Sequence, residues 1–273
     1  MKQHLSGVRL RLAVLLAVTL LLLLAVACAR LICSFDPDAH NYAAVLQPPG
    51  GAHPLGTDRY GRDLLARVLA GGQVSIFSAL ALVGITTLAG TAAGMLGGWF
   101  GGAADTAVMR LADLCLAFPG LVLALALTAA LGGGTFHAVL ALAVAGWPKY
   151  ARLARTRTLA LRDAPFVDAA RMAGGGSVQI LCRHLLPNLL GPVLVTAALD
   201  VGTMMMELAA LSFLGLGAQP PAAEWGSMMC DGRSMLQSYP WVVLAPGGAI
   251  FVTVSLFHLL GDTLRDLLDP GGR

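Results

Sequence analysis

The sequence predicts an all-α membrane protein with six transmembrane helices. Hydrophobic residues make up 57% of the 273 positions and charged residues only 12%, and the apolar residues gather into runs of span length. A soluble domain carries about 45–50% apolar and roughly 25% charged residues. A chain this apolar could not cover its exterior in water, whereas a bilayer accepts about 20 consecutive apolar residues per helix. The one-sided placement of the basic residues then orients the spans.

The first span is Leu12 to Ala29, preceded by Lys2, Arg9 and Arg11. A basic start and the Ala25-Val26-Ala27-Cys28 end also fit a cleaved signal or lipoprotein signal; the spans that follow favour a signal anchor. From Ser34 to about Gly72 the chain is polar and rich in Pro and Gly, so residues 1–72 read as an anchor helix plus a periplasmic loop and 73–273 as the transmembrane core. Leu64, Leu65, Val68 and Leu69 form a short amphipathic turn at helical spacing. The second span covers Val74 to Gly97, and Gly98 to Asp113 reads as a short loop. A third span runs from Leu114 to Leu131 with Pro119 kinking its start. Gly132-Gly133-Gly134 turns the chain into a fourth span, Phe136 to Tyr150. A charged segment, Lys149 to Pro187, precedes the fifth span, Leu189 to Leu216. Gly217 to Pro240 is a second polar loop, and the sixth span covers Trp241 to Leu260.

With the N-terminus inside, 13 of the 18 basic residues fall in inner segments, seven of them between Lys149 and Arg183. The positive-inside bias therefore puts both termini in the cytoplasm. The five cysteines (Cys28, Cys33, Cys115, Cys182, Cys230) show neither a CxxC pair nor metal-ligand spacing and read as small hydrophobes.

The informative segment is Asp168-Ala169-Ala170-Arg171-Met172-Ala173-Gly174, followed after nine residues by His184-Leu185-Leu186-Pro187. Wound as a helix, Phe166, Ala169, Ala170 and Ala173 make one small apolar surface with Asp168 and Arg171 at its rim. Glycines 174–176 end the helix, and Pro187 opens the next span. Arg152, Arg155, Arg157 and Arg162 upstream read as topology signals that meet lipid head groups. The pattern resembles the EAA signature of bacterial ABC importer permeases, with Asp168 in place of the usual Glu and His184 in place of Ile. The resemblance implies the type I ABC importer permease fold. It also implies a cytoplasmic coupling helix, inside the loop at about 151–187, with Asp168, Ala169, Ala170, Gly174, Leu186 and Pro187 contacting the ATPase.

Further motifs run through the chain from residue 53 onward. They are His53-Pro54-Leu55-Gly56-Thr57-Asp58 with Gly61-Arg62-Asp63, Leu211 to Gly217, Glu224-Trp225-Gly226, and Gly261-Asp262 with Leu264-Arg265-Asp266 and Asp269-Pro270. Together they resemble the dipeptide/oligopeptide/nickel permease family, and within it the second permease subunit. That implies a bacterial inner-membrane protein working with a second homologous permease, two ATP-binding subunits and a periplasmic binding protein. No G-x-x-x-x-G-K-[ST] phosphate loop occurs, so ATP would be hydrolysed by separate subunits and the chain is not itself an enzyme. No cofactor, resident metal site or nucleic acid is expected.

Substrate information lies in the fifth span. Asp200, Met204, Met205 and Glu207 are candidates for the pathway, because ionisable groups inside a span are costly and point to function. Peptide-transporting members of the family usually carry a Glu where Leu208 stands, and Glu207 is one position off. The Leu199-Asp200-Val201-Gly202 lead-in and the neighbouring methionines resemble the nickel branch more closely. Nickel or a nickel-chelate is therefore the first expectation and a short peptide the second. Against both stands the plainer reading of Met204 to Met206 as adaptable packing, and of His137 and His258 as hydrogen-bonded core residues. A membrane enzyme would need a convergent Ser/His set or an HExxH helix, and neither occurs. A secondary transporter should show an inverted repeat, which the two halves lack.

Overall fold

The computed structural model describes residues 2–33 and 35–268. The described residues are almost wholly helical: α1 Lys2–Ala27, α2 Ala29–Ile32, α3 Leu64–Phe100, α4 Gly102–Leu116, α5 Gly120–Ala130, α6 Thr135–Leu161, α7 Pro165–Met172, α8 Ser177–Ile180, α9 Leu186–Phe213, α10 Trp225–Gly232 and α11 Trp241–Leu268. An isolated bridge between Thr57 and Asp63 is the only extended pairing among them. The Asp269-Pro270 motif lies outside the described residues.

Among the described residues, four helical stretches are long and apolar enough to cross a bilayer: Gly7–Ala27, Leu64–Phe100, Ser177–Phe213 and Trp241–Leu268. A fifth crossing is possible if α4 and α5, bent by 90° at their junction, traverse together. The bend falls at Ala117-Phe118-Pro119, because Pro119 cannot donate into the preceding turn. Helix α6 carries Lys149, Arg152 and Arg155 in its second half. Those charges lower its hydropathy, so length and composition alone do not reach the expected six.

Two expectations change. The loop read between Gly98 and Asp113 is helix α4. Beyond the paired glycines 101 and 102, both with positive φ, its residues are mainly good helix formers, and Asp105 in its first turn suits the N-terminal dipole. The second span is longer than its apolar run, since α3 begins at Leu64 and takes in the amphipathic turn. Asp63 caps it by accepting from the Ala66 N–H at 2.7 Å, so the polar boundary is a helix start rather than a break.

Helices α3 and α6 form the centre of the bundle. Three glycines on α3, at every fourth position, face three residues of α6 with the same spacing. A Cβ on Gly90 would sit 2.4 Å from the Trp147 carbonyl oxygen, one on Gly94 2.0 Å from that of Ala151, and one on Gly98 3.1 Å from that of Arg155. Small residues at this spacing let helix backbones meet where hydrocarbon offers no hydrophobic drive for association. Around this axis, α5 packs on α6, while α9 packs on α3 and α11. The main core gathers Ile76, Leu82, Leu142, Met205, Leu211 and Trp225 among others. Helix α1 lies against α11, and its Leu10, Leu20, Leu21 and Leu24 remain exposed, as suits a span that meets lipid or another subunit.

Gly94→Val places atoms where the Ala151 carbonyl already lies. We expect overpacking to cost about 1–3 kcal/mol or more, read as a lower unfolding temperature in detergent and less protein in the membrane. Gly84→Ala, where a Cβ meets nothing within 4 Å, is the matched control and should leave both unchanged.

Candidate functional site

Helix α7 is built for one buried and one open face. Pro165 fixes its first turn, Asp168 lies near its positive end and Arg171 near its negative end. Arg171 Nη1 reaches Asp168 Oδ1 at 3.0 Å, and its guanidinium covers the Trp99 ring of α3 at 5.0 Å. Val167 is fully buried in a cluster with Ala154 of α6, Ile180, Leu181, Leu185 and Leu189, and Ala170, Met95 and Trp99 pack against it. Phe166, Asp168, Ala169, Met172 and Ala173 face outward, and Met172 is 85% exposed. The expected small surface is thus present, with Ala170 turned partly inward and Met172 added.

The helix ends in a Schellman motif. Gly175 N–H donates to the Ala170 carbonyl at 2.9 Å and Gly174 N–H to that of Arg171 at 3.0 Å, with Gly174 at φ +83°. A left-handed residue is needed at that position, which explains Gly174 physically. The chain then enters α8, a π-helical turn over Leu181–Leu185 and α9 without a break. Pro187 lies in the first turn of α9, where its missing N–H is tolerated beside the wide turn. Leu186 is half-buried and Pro187 exposed.

The fifth-span candidates separate into two groups. Asp200 is 4% exposed. It accepts from Lys149 Nζ at 2.6 Å and from the Tyr150 hydroxyl at 2.8 Å. Met204 and Met205 are buried in the main core, and the Met204 methyl reaches the Gly146 backbone of α6. Glu207 is half-buried, and Thr203 and Met206 are exposed. The sequence reading ends the fourth span at Tyr150 and opens a charged segment at Lys149, and so gives neither residue as a partner of Asp200. Their side chains lie on α6, which continues helical to Leu161.

The basic stretch needs a correction. Arg155 grips Asp105 of α4 with two bonds, 2.5 and 2.6 Å, and Arg152 reaches Asp113 at 2.6 Å. These arginines tie α6 to α4 instead of meeting only lipid. The helical α4, absent from the sequence reading, is what brings the carboxylates within reach.

The polar motifs elsewhere are structural ties. His53 Nδ1 pairs with Asp63 Oδ2 at 2.8 Å, and Arg62 Nε donates to the buried Asp58 at 2.6 Å. Arg67, also buried, donates to Asp38 and the Pro37 carbonyl at 3.0 Å. Glu224 caps α10 through the Gly226 and Ser227 N–H groups and accepts from Ser75 of α3 at 3.0 Å. Trp225 Nε1 donates to the Val68 carbonyl at 2.7 Å, and its ring lies over Gly71 and Gly72. His137 bonds the Gly133 carbonyl, and His258 packs on Gly202 of α9.

This helical core, with an amphipathic loop helix seated across it, has the type I ABC importer permease fold: the chain is a transport component, the permease of an ABC importer. It belongs to the family described as binding-protein-dependent transport system inner membrane component, whose model matches residues 90–273. The probable D,D-dipeptide transport system permease of Escherichia coli (strain K12) is 43% identical over 94% of this chain and 87% of that protein. A glutathione transport system permease of Pectobacterium atrosepticum is 40% identical over 92% and 84%. The nickel transport system permease of E. coli (strain K12) is 39% identical over 86% and 85%. The nickel branch is therefore not singled out. Among solved structures, the inward-facing MetNI methionine ABC transporter matches with a TM-score of 0.58 at 19% identity, over 73% of this chain and 95% of that one.

Val167→Asp puts an unpaired carboxylate into the pocket that seats α7. Such a change should cost several kcal/mol locally. We expect faster proteolysis of the 162–180 segment in membranes, with α3–α6 packing retained; unchanged protease sensitivity would contradict the seating.

Proposed function

We propose that this chain imports short peptides, as one of two permeases driven by separate ATP-binding subunits and supplied by a periplasmic binding protein. The observation that carries the peptide reading is the likeness to peptide permeases along nearly the whole chain, 43% for the D,D-dipeptide relative against 39% for the nickel relative. Burial of Met204 and Met205 in the core supports the packing reading of these residues, which leaves the Leu199-Asp200-Val201-Gly202 lead-in and the offset of Glu207 as the features that resemble the nickel branch.

In this proposal six helices span the inner membrane with both termini in the cytoplasm, α6 being the span whose charges pair within the bundle. Helix α7 docks its open face into an ATP-binding subunit, with Asp168, Ala169, Ala170 and Gly174 forming or positioning that face. Leu186 and Pro187 join it to α9. Closure of the ATPase pulls α7, and because Val167 is packed among residues of both α6 and α9, the pull moves those helices. On the other side, the segments at 53–63 and 217–235 receive the binding protein. Arg59 of the first reaches Asp231 of the second at 3.5 Å, which supports treating them as one docking surface.

The test reconstitutes the complete importer in vesicles with ATP inside. Asp168→Lys reverses a charge on the open face, and Gly174→Trp forces a large side chain into a left-handed position. Each should lower peptide taken up per ATP hydrolysed by about tenfold, a loss of roughly 1.4 kcal/mol of coupling, with membrane insertion unchanged. Normal coupling in both variants would sink the assigned role of α7. Wild-type vesicles that accumulate nickel and no dipeptide would overturn the substrate.

A further inference from the structure

An ammonium group stands partway along a membrane helix with more than half of its side chain uncovered. The Lys149 side chain is 56% exposed, while that of its partner Asp200 is 5% exposed. Asp200 is the fifteenth of 28 residues in α9, about 21 Å from its first residue and about 20 Å from its last at 1.5 Å per residue. The apolar helical stretch that holds it runs from Ser177 to Phe213, so the pair lies well inside a span whose hydrocarbon is about 30 Å thick. A lysine head group at that depth is too costly to leave in hydrocarbon, so this face of α6 and α9 must meet water or protein. Asp200 itself is satisfied from inside by the Tyr150 hydroxyl and needs only one cation.

The same face carries further polar groups. Glu207 follows Asp200 by seven residues, two helical turns and about 10 Å farther along the same side of α9. Thr203 lies between them and is exposed, as is Met206. The stripe thus offers a cation at one end, a carboxylate at the other and a hydroxyl between. That is the complement of a short peptide with a free carboxylate and a free ammonium, whose charges lie several Å apart at opposite ends.

We propose that Lys149, Thr203 and Glu207 line the translocation route and hold the termini of a zwitterionic peptide, Lys149 taking the carboxylate and Glu207 the ammonium, with Asp200 fixing Lys149. The proposal rests on the peptide-import reading and adds the residues that select for free termini. It also moves the pathway from the buried Met204 and Met205 to the exposed polar edge of α9.

The experiment uses the whole importer in vesicles and three probes of equal length: a free dipeptide, its N-acetyl form and its C-terminal amide. Wild type should prefer the free dipeptide over either blocked form by about tenfold, the scale of one charge-assisted hydrogen bond. Glu207→Gln should erase the preference against the N-acetyl form and keep that against the amide. Lys149→Gln should do the reverse. Because Lys149→Gln leaves Asp200 unpaired and can harm folding, Lys149→Gln/Asp200→Asn serves as the second variant, with complex yield recorded for each. Equal loss for all three probes, or unchanged preference in both Glu207→Gln and the double variant, would overturn the site. Absence of dipeptide uptake in wild type would instead overturn the peptide reading beneath it.

Discussion

The contact on which the rest of this fold depends is the backbone-to-backbone packing of α3 on α6. In a bilayer, apolar side chains gain little by leaving lipid for protein, so association relies on van der Waals contact and hydrogen bonds. Glycines 90 and 94 supply that contact by letting the carbonyls of Trp147 and Ala151 approach to distances any side chain would block, and at Gly98 a Cβ would crowd the Arg155 carbonyl. Once the two helices are in register, Arg155 is set opposite Asp105, Tyr150 and Lys149 are set opposite Asp200, and Trp99 forms part of the seat for α7. A slip of one turn along α3 would break all three.

Much of this architecture was legible in the sequence because membrane spans announce themselves by composition. The α7 surface, its glycine end and the proline opening α9 could likewise be placed from residues 166–187 alone. What escaped had one physical cause. Charge was read as a sign of loop, and in this chain charge also occurs inside helices. Asp105 and Asp113 made α4 look like a turn, and Lys149 to Arg162 made the second half of α6 look like a surface segment. Each charge was judged alone, whereas its cost depends on a partner some 40–50 residues away that local reading cannot see. The glycine stripe was visible in principle, since three glycines at four-residue spacing in an apolar helix are a packing signal, but it was read only as part of a span.

For Met204 and Met205, burial in the core agrees with the reading of these methionines as adaptable packing, while Met206 is exposed. Adjacent residues on a helix are about 100° apart, so a run of three cannot share one site. Asp200 and Glu207, seven apart, can. Spacing along α9 therefore carries more functional information than residue chemistry taken in order.

A movement at α7 would reach the stripe on α9 along a single helical element. The segment from Ser177 through the π turn to Phe213 is one continuous helical element, and Val167 is buried among Leu181, Leu185 and Leu189 at its start. A close-packed cluster resists compression and passes displacement on. A pull on α7 would thus be felt along α9, at whose midpoint Asp200 holds Lys149 of α6. Because Asp200 is satisfied by two residues of α6, rotation of α9 against α6 would strain the Lys149 bond first, its ammonium being the exposed member of the pair. Alternating access under this proposal requires the cation to exchange between Asp200 and a passing carboxylate. A pair with one buried and one open partner is suited to that exchange, since the buried acid keeps Tyr150 while the lysine is shared.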